Sequence, residues 1–244
     1  MLNELPAWND IINVCLNGQI LLPQVKRWSR FRENREGTRV QDVLQHSYEA
    51  PITGRVLVGL IEPHLPRALD MDLLHTAFQV HDYAEGLTKC DHQAVLKVIQ
   101  NDVDEYQAFV EQFRSLPPKI FDQFHRAFLL QFAHKDHARF PEEARAILTD
   151  HAANRALENL VFQAAEIWGY LLFTFEQYRD RGNRHMMANM LLNHLDEMDR
   201  LAAQLPGFKE VIWTPEIRNW ATEFIKQNAD LLDYEHEQDR ARTF

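Results

Sequence analysis

"MDLLHTAFQVHDYAEGLT", residues 71–88, decides how this chain is read. Its spacing predicts a buried helix from about Met71 to Leu87. His81, Asp82 and Glu85 stand inside that run, and two acids and an imidazole are costly to bury without a partner. On a helix, His81 and Glu85 are four apart and share a face. Asp82 lies about 100° round from His81, near enough for both side chains to lean toward one point. That point suits a divalent cation, because imidazole and carboxylate together bind Mn, Fe, Co or Zn. Two ligands hold a metal poorly, so the others must come from elsewhere in the chain.

Two further segments offer them. "VLQHSYEA" (43–50) places His46 among Val40, Val43, Leu44 and Ile52, which read as core-facing. "FQAAEIWGYL" (162–171) places Glu166 in an otherwise apolar and aromatic run. His46, His81, Asp82 and Glu166 then ring one metal and leave positions open for water and substrate. Glu85, one turn past His81, is placed to align the attacking water or take its proton. Each piece alone has a plainer reading. A His-Asp pair arises by chance in many proteins. His46 is one of 12 histidines and suits a surface or satisfied core position. Glu166 could simply pair with an arginine. The combination is what points to a metal.

Outward from this stretch the periodicity is helical nearly everywhere. "WNDIINVCL" (8–16) is apolar on one face, whereas 18–39 reads as irregular, basic and aromatic. A helix is expected over 40–61, bent near Pro51, which lacks the N–H that a helix interior needs. Residues 62–70 read as a connection. Further helices are expected over 91–116, 119–134, 141–150, 154–180, 184–204 and 215–232, punctuated by "LPP", "RGN" and "LPGF". "HMMANMLLNH" (185–194) reads as core packing, and His137 as a surface residue. No repeat and no strand-period run emerges. One all-α domain is therefore expected over 1–244, with its core at 20–220 and a polar tail at 233–244.

The bulk composition agrees. Hydrophobic residues make up 45% of the 244 and charged residues 25%, ordinary for a globular protein. Only 8 glycines and 10 prolines are present, which argues against a loop-rich β fold. A net charge of -10 repels a nucleic-acid duplex or an anionic membrane, although a local cation or arginine can still hold a small phosphate. Cys15 and Cys90 are too isolated for a disulfide framework. No apolar run approaches the ~20 residues of a membrane span, and the N-terminus lacks the pattern of a leader. A cytoplasmic location is the expectation.

Four stretches carry a resemblance. They are "VKRWSRFRENREGTRVQDVLQHS" (25–47), "HDYAEGLTKCD" (81–91), "PEEARAIL" (141–148) and "AAEIWGYLLFTFEQYRDRGN" (164–183). In them the chain resembles the HD-domain metal-dependent phosphohydrolase superfamily, and within it the bacterial 5′-deoxynucleotidases. The resemblance implies an HD-domain helical bundle of about eight to nine helices. It implies one divalent ion (Mn, Co, Fe, Mg or Zn) on His46, His81, Asp82 and Glu166, the last standing where the family has an Asp. It makes Glu85 the residue that positions or activates water, and Asp91 the second catalytic acid. It makes Arg27 a phosphate ligand and Trp28 a wall against the sugar, crowding its 2′ position. The substrate implied is a deoxyribonucleoside 5′-monophosphate. A dNTP or signalling nucleotide, or a non-catalytic nucleotide-binding scaffold on the same fold, stays open as an alternative. With the apolar length of helices 92–114 and 184–204, the resemblance also implies a homodimer.

Overall fold

A computed structural model describes residues 6–28, 39–89 and 97–232. Asp91, Cys90 and the arginines at 30, 32 and 35 lie outside the described residues. The fold is all-α. Among the described residues there is no strand, only an isolated antiparallel bridge between Lys26 and Asp42.

The described residues divide into two compact units: the smaller takes Arg39, Leu60–Pro66 and the residues from Ile167 on, and the larger takes the rest. The larger unit holds α1 (Pro6–Leu21), most of α2 (Val43–Ile61), α3 (Met71–Val80), α4 (Tyr83–Thr88), α5 (Ile99–Phe113), α6 (Pro118–Leu129), α7 (Glu142–Asn154) and the first part of α8 (Ala156–Arg181). The smaller unit holds the rest of α8, α9 (Arg184–Gln204), α10 (Phe208–Val211) and α11 (Pro215–Gln227). Among the described residues no helix is long and apolar enough to cross a membrane.

Local chemistry explains most of the boundaries. Asp70 caps α3 by accepting from the Leu73 N–H at 3.1 Å, and Asn183 caps α9 by accepting from Met186 at 3.1 Å. Thr214 caps α11 ahead of Pro215, whose missing N–H costs nothing in a first turn. Gly207 takes φ +83 in the break before α10, a conformation that a side chain disfavours.

Three elements depart from the expected pattern. α1 runs on to Leu21, through residues expected to be irregular. α2 continues past Pro51 as one helix. Buried Val43, Ala50, Leu57, Val58 and Ile61 hold it through the lost hydrogen bond. The helix expected over 71–87 is two helices, with His81 and Asp82 at the break between them. Asp82 takes φ -94 and ψ 6, which turns the chain at the motif itself.

The core of the larger unit is aromatic. Phe109 stacks on Phe113 at 4.2 Å between ring centroids and on Phe128 at 4.0 Å. Leu74, Leu129, Leu130 and Leu148 are fully buried with them. Each such side chain contributes on the order of 1.5–3 kcal/mol by leaving water. In the smaller unit, α9 buries His185, Met186, Met187, Met190, Leu191 and His194, the packing role expected for that stretch.

Candidate metal centre

The two helices that carry most of the site start from one polar joint. Glu158, in the first turn of α8, accepts two hydrogen bonds from the Arg67 guanidinium, both 2.6 Å. It also accepts the Asp70 backbone N–H at 3.0 Å. Asp70 caps α3, so the starts of α3 and α8 are tied together. His81 and Glu166 follow two to three turns later, in register with each other. α2 contributes His46.

The three side chains converge. One ligand atom from each of His46, His81 and Glu166 lies within 4.8 Å of the others. The Nε2 atoms of the two imidazoles are 3.3 Å apart, and Glu166 Oε2 is 3.3 Å from each of them. Asp82 borders this set, with Oδ1 3.3 Å from His81 Nε2 and Oδ2 3.6 Å from His46 Nε2. Arg27 donates to the same Oδ2 at 2.5 Å. The four expected ligands are thus brought together, as three mutually close donors and a bordering carboxylate held by an arginine. Glu166, longer by a methylene than Asp, reaches both imidazoles.

The tautomers suit a cation. His81 Nδ1 is 3.0 Å from the Phe78 carbonyl, which can only accept, so Nδ1 carries the proton. In the neutral imidazole the lone pair of Nε2 would then face the cluster, as metal-binding imidazoles are held. Gln131 fixes the same turn by donating to the His81 carbonyl at 3.1 Å and to the Phe128 carbonyl at 3.2 Å. The Phe162 ring meets His81 edge-on at 5.4 Å and stacks on Phe78 at 5.2 Å. Two neutral imidazoles and a carboxylate, bordered by a second carboxylate, form a donor set that fits Mn, Fe, Co or Zn. A buried cluster of His46, His81 and Glu166 can hold such an ion.

The electrostatics show what a cation would replace. Burial drives His46 below its ordinary pKa and Arg27 adds to this, with Glu166 and Asp82 offsetting only part. Burial pulls His81 down as well, but Asp82 and Glu166 outweigh it and hold the imidazole well above its ordinary value. Burial alone raises the two acids. His81 and Arg27 nevertheless carry Asp82 well below the usual carboxylate range, and His81 and His46 do the same for Glu166. In the metal-free cluster the electrostatics favour a proton on His81, which with the Arg27 guanidinium balances the carboxylates.

The remaining expected residues fall as follows. Glu85 is buried in the first turn of α4. Arg27 is buried, and Trp28 is half-buried beside it. Asp91 lies outside the described residues. Arg39 pairs with Glu176 at 3.2 Å and lies over the Phe173 ring.

Sequence reasoning missed two polar groups. Gln41 is 2% exposed and holds both Arg27 and Trp28. The second is a network in which the half-buried Lys97 and Lys135 meet the buried Asp102 and Glu105. Lys97 bonds Glu105 at 2.6 Å and Lys135 bonds Asp102 at 2.7 Å. Burial lowers Lys97, but Glu105, Asp102 and, more weakly, Glu85 keep its pKa raised. Gln41 sits in a mixed segment that gave no cue, and the network's one cue was a pair of acids, Asp102 and Glu105, on the apolar face of α5.

The smaller unit has a cavity of about 480 Å³, lined by Trp168, Leu171, Phe175, Met198, Ile217 and Trp220 among others. Its one charged lining residue is Glu216, so its lining offers an anion no cationic partner. No family model, curated protein or solved structure matches the chain, and the His46–His81–Glu166 cluster rests on its own geometry.

Proposed function

We propose that the protein is a metal-dependent phosphomonoesterase of the HD-domain type, acting on deoxyribonucleoside 5′-monophosphates. The observation that carries the reading is the convergence of His46, His81 and Glu166 within 4.8 Å, with Arg27 bonded to the bordering Asp82. It joins a cation site to a buried guanidinium, the pair of charges that a phosphate dianion needs.

His46, His81, Asp82 and Glu166 would hold one divalent ion. Once bound, such an ion polarises a phosphoryl oxygen and lowers the pKa of water. The chain does the rest. Arg27 offers fork-shaped donors to the other phosphoryl oxygens, screening the charge that repels a nucleophile. Glu85, one turn past His81, orients the attacking water and accepts its proton. Asp91 is assigned to the leaving 5′-oxygen on the resemblance alone. Trp28, adjoining Arg27, is the wall for the sugar.

The test is a purified protein with its bound metal measured, assayed for phosphate release from dAMP, dGMP, dTMP and the matching ribonucleotides with Mn, Co or Mg. Phosphate from the deoxynucleotides and little from the ribonucleotides is expected. Pyrophosphate or tripolyphosphate from a dNTP would transfer the protein to a different reaction. Metal at full occupancy with no turnover of any of these compounds would remove the enzymatic reading.

A further inference from the structure

Trp28 and Lys89 are the non-glycine residues with positive φ among those described, at +64 and +59. Lys89 ends α4, where a left-handed residue is a common helix stop. Trp28 ends no helix. A bulky aromatic residue in that conformation is strained and persists only where its surroundings over-determine it.

The surroundings centre on Gln41. Its main-chain carbonyl accepts the Arg27 backbone N–H at 2.9 Å. Its side-chain Oε1 accepts the Trp28 indole N–H at 2.7 Å. Its Nε2 donates to Glu49 Oε2 at 2.6 Å. An indole N–H can only donate and a carboxylate can only accept, so a single orientation of the amide satisfies both ends. Glu49 lies on α2 one turn after His46, so the helix that brings a metal ligand also anchors this chain of bonds. Arg27 is tied to the cluster through Asp82. The Arg27–Trp28 strap is thus fastened on one side to the metal centre and on the other to the Glu49–Gln41 pair.

We propose that Gln41 and Glu49 are positioning residues, holding the Trp28 indole beside Arg27 as the wall for the part of the substrate that is not phosphate. The proposal rests on the phosphomonoesterase reading above and deepens it. It accounts for a strained backbone, a buried amide with both ends used, and a carboxylate spent on that amide. Neither Gln41 nor Glu49 touches the reacting atoms, so their effect falls on substrate binding.

Three variants test it: Gln41→Leu, Gln41→Glu, and the exchange Gln41→Glu with Glu49→Gln. Gln41→Glu sets two carboxylates against each other where the wild type has a 2.6 Å bond. The exchange restores the chain with its polarity kept, since a glutamate at 41 accepts from the indole and from the new amide. In Gln41→Leu and Gln41→Glu, KM for dAMP is expected to rise roughly tenfold while kcat changes less than about twofold. Bound metal should stay at the wild-type level, and the exchange should recover most of KM. The NMR resonance of the Trp28 indole N–H, identified by its loss in Trp28→Phe, should move in the first two variants and return in the third.

An unchanged KM in Gln41→Leu, or no recovery in the exchange, overturns the proposal. If Gln41→Leu does not fold, the comparison of Gln41→Glu with the exchange decides alone. A wild type that turns over no monophosphate sinks the functional reading instead. The clamp is then judged on the indole resonance, and falls if that resonance is unmoved in Gln41→Glu.

Discussion

At the scale of single residues, the site is a balance between burial and charge. His81 is 3% exposed, yet Asp82 and Glu166 hold the pKa of its imidazole well above the ordinary value against that burial. A raised histidine pKa gives stability that is fully present below the ordinary value of about 6.5 and is lost as pH rises through the folded value. The metal-free protein should therefore weaken on alkaline titration, followed by urea unfolding. A divalent ion bound at the cluster would take the place of that proton. Metal uptake at neutral pH should release about one proton in a weakly buffered calorimetric titration, and affinity should fall as pH drops. His46→Ala and His81→Ala should each lower metal affinity by at least about 100-fold. His194 behaves in the opposite way: burial pushes its pKa down to about 4. The unfolded chain takes up a proton below about 6.5 that the folded chain refuses, so acidification toward pH 4 should cost on the order of 2–3 kcal/mol. His194→Leu should flatten that acid limb. The candidate ligands were legible in the sequence because each is a polar group set in an apolar run. Gln41 was not, because a neutral amide in a mixed segment has no such contrast.

At the scale of elements, what matters is how helices are locked in register. Gly54 on α2 faces α3 so closely that an added Cβ would stand 2.2 Å from the Phe78 ring. Phe78 also stacks on Phe162, and its carbonyl accepts a hydrogen bond from His81 Nδ1. Gly54→Ala gains about 1 kcal/mol of helix propensity but overpacks at a cost of roughly 1–3 kcal/mol. Net destabilisation and weaker metal binding are expected, read by urea unfolding and by calorimetry. Glu158→Gln should cost roughly 1–3 kcal/mol, because a charged acceptor for Arg67 and for the start of α3 is lost. Its metal affinity should fall although no ligand is altered. The helix limits of α9 were readable from its caps and stops. The break at His81 was not, because the periodicity of 71–87 runs through it and only the packing of α3 on α6 and of α4 on α5 ends one helix and starts the next.

For the molecule as a whole, a bound ion is a stabiliser in proportion to its concentration. A divalent metal at about 100 times its Kd should add about 2.7 kcal/mol. For a chain of this length that corresponds to a Tm rise of about 5–10 °C, removed by a chelator. A thermal scan with Mn, Co, Fe and Zn measures it, and no shift with any of them would sink the metal centre.

The sequence alone determined that this protein is helical, because the 3.6-residue apolar period is written into nearly every segment. It also singled out His81, Asp82 and Glu85 as groups that had to find partners, because burying charge is too costly to be incidental. Only the tertiary structure decided that His46, His81 and Glu166 meet within 4.8 Å, that Asp82 is shared with Arg27, and that Gln41 holds Trp28. Those pairings join residues far apart in the chain, and distances of that kind are set by packing and carry no local signal.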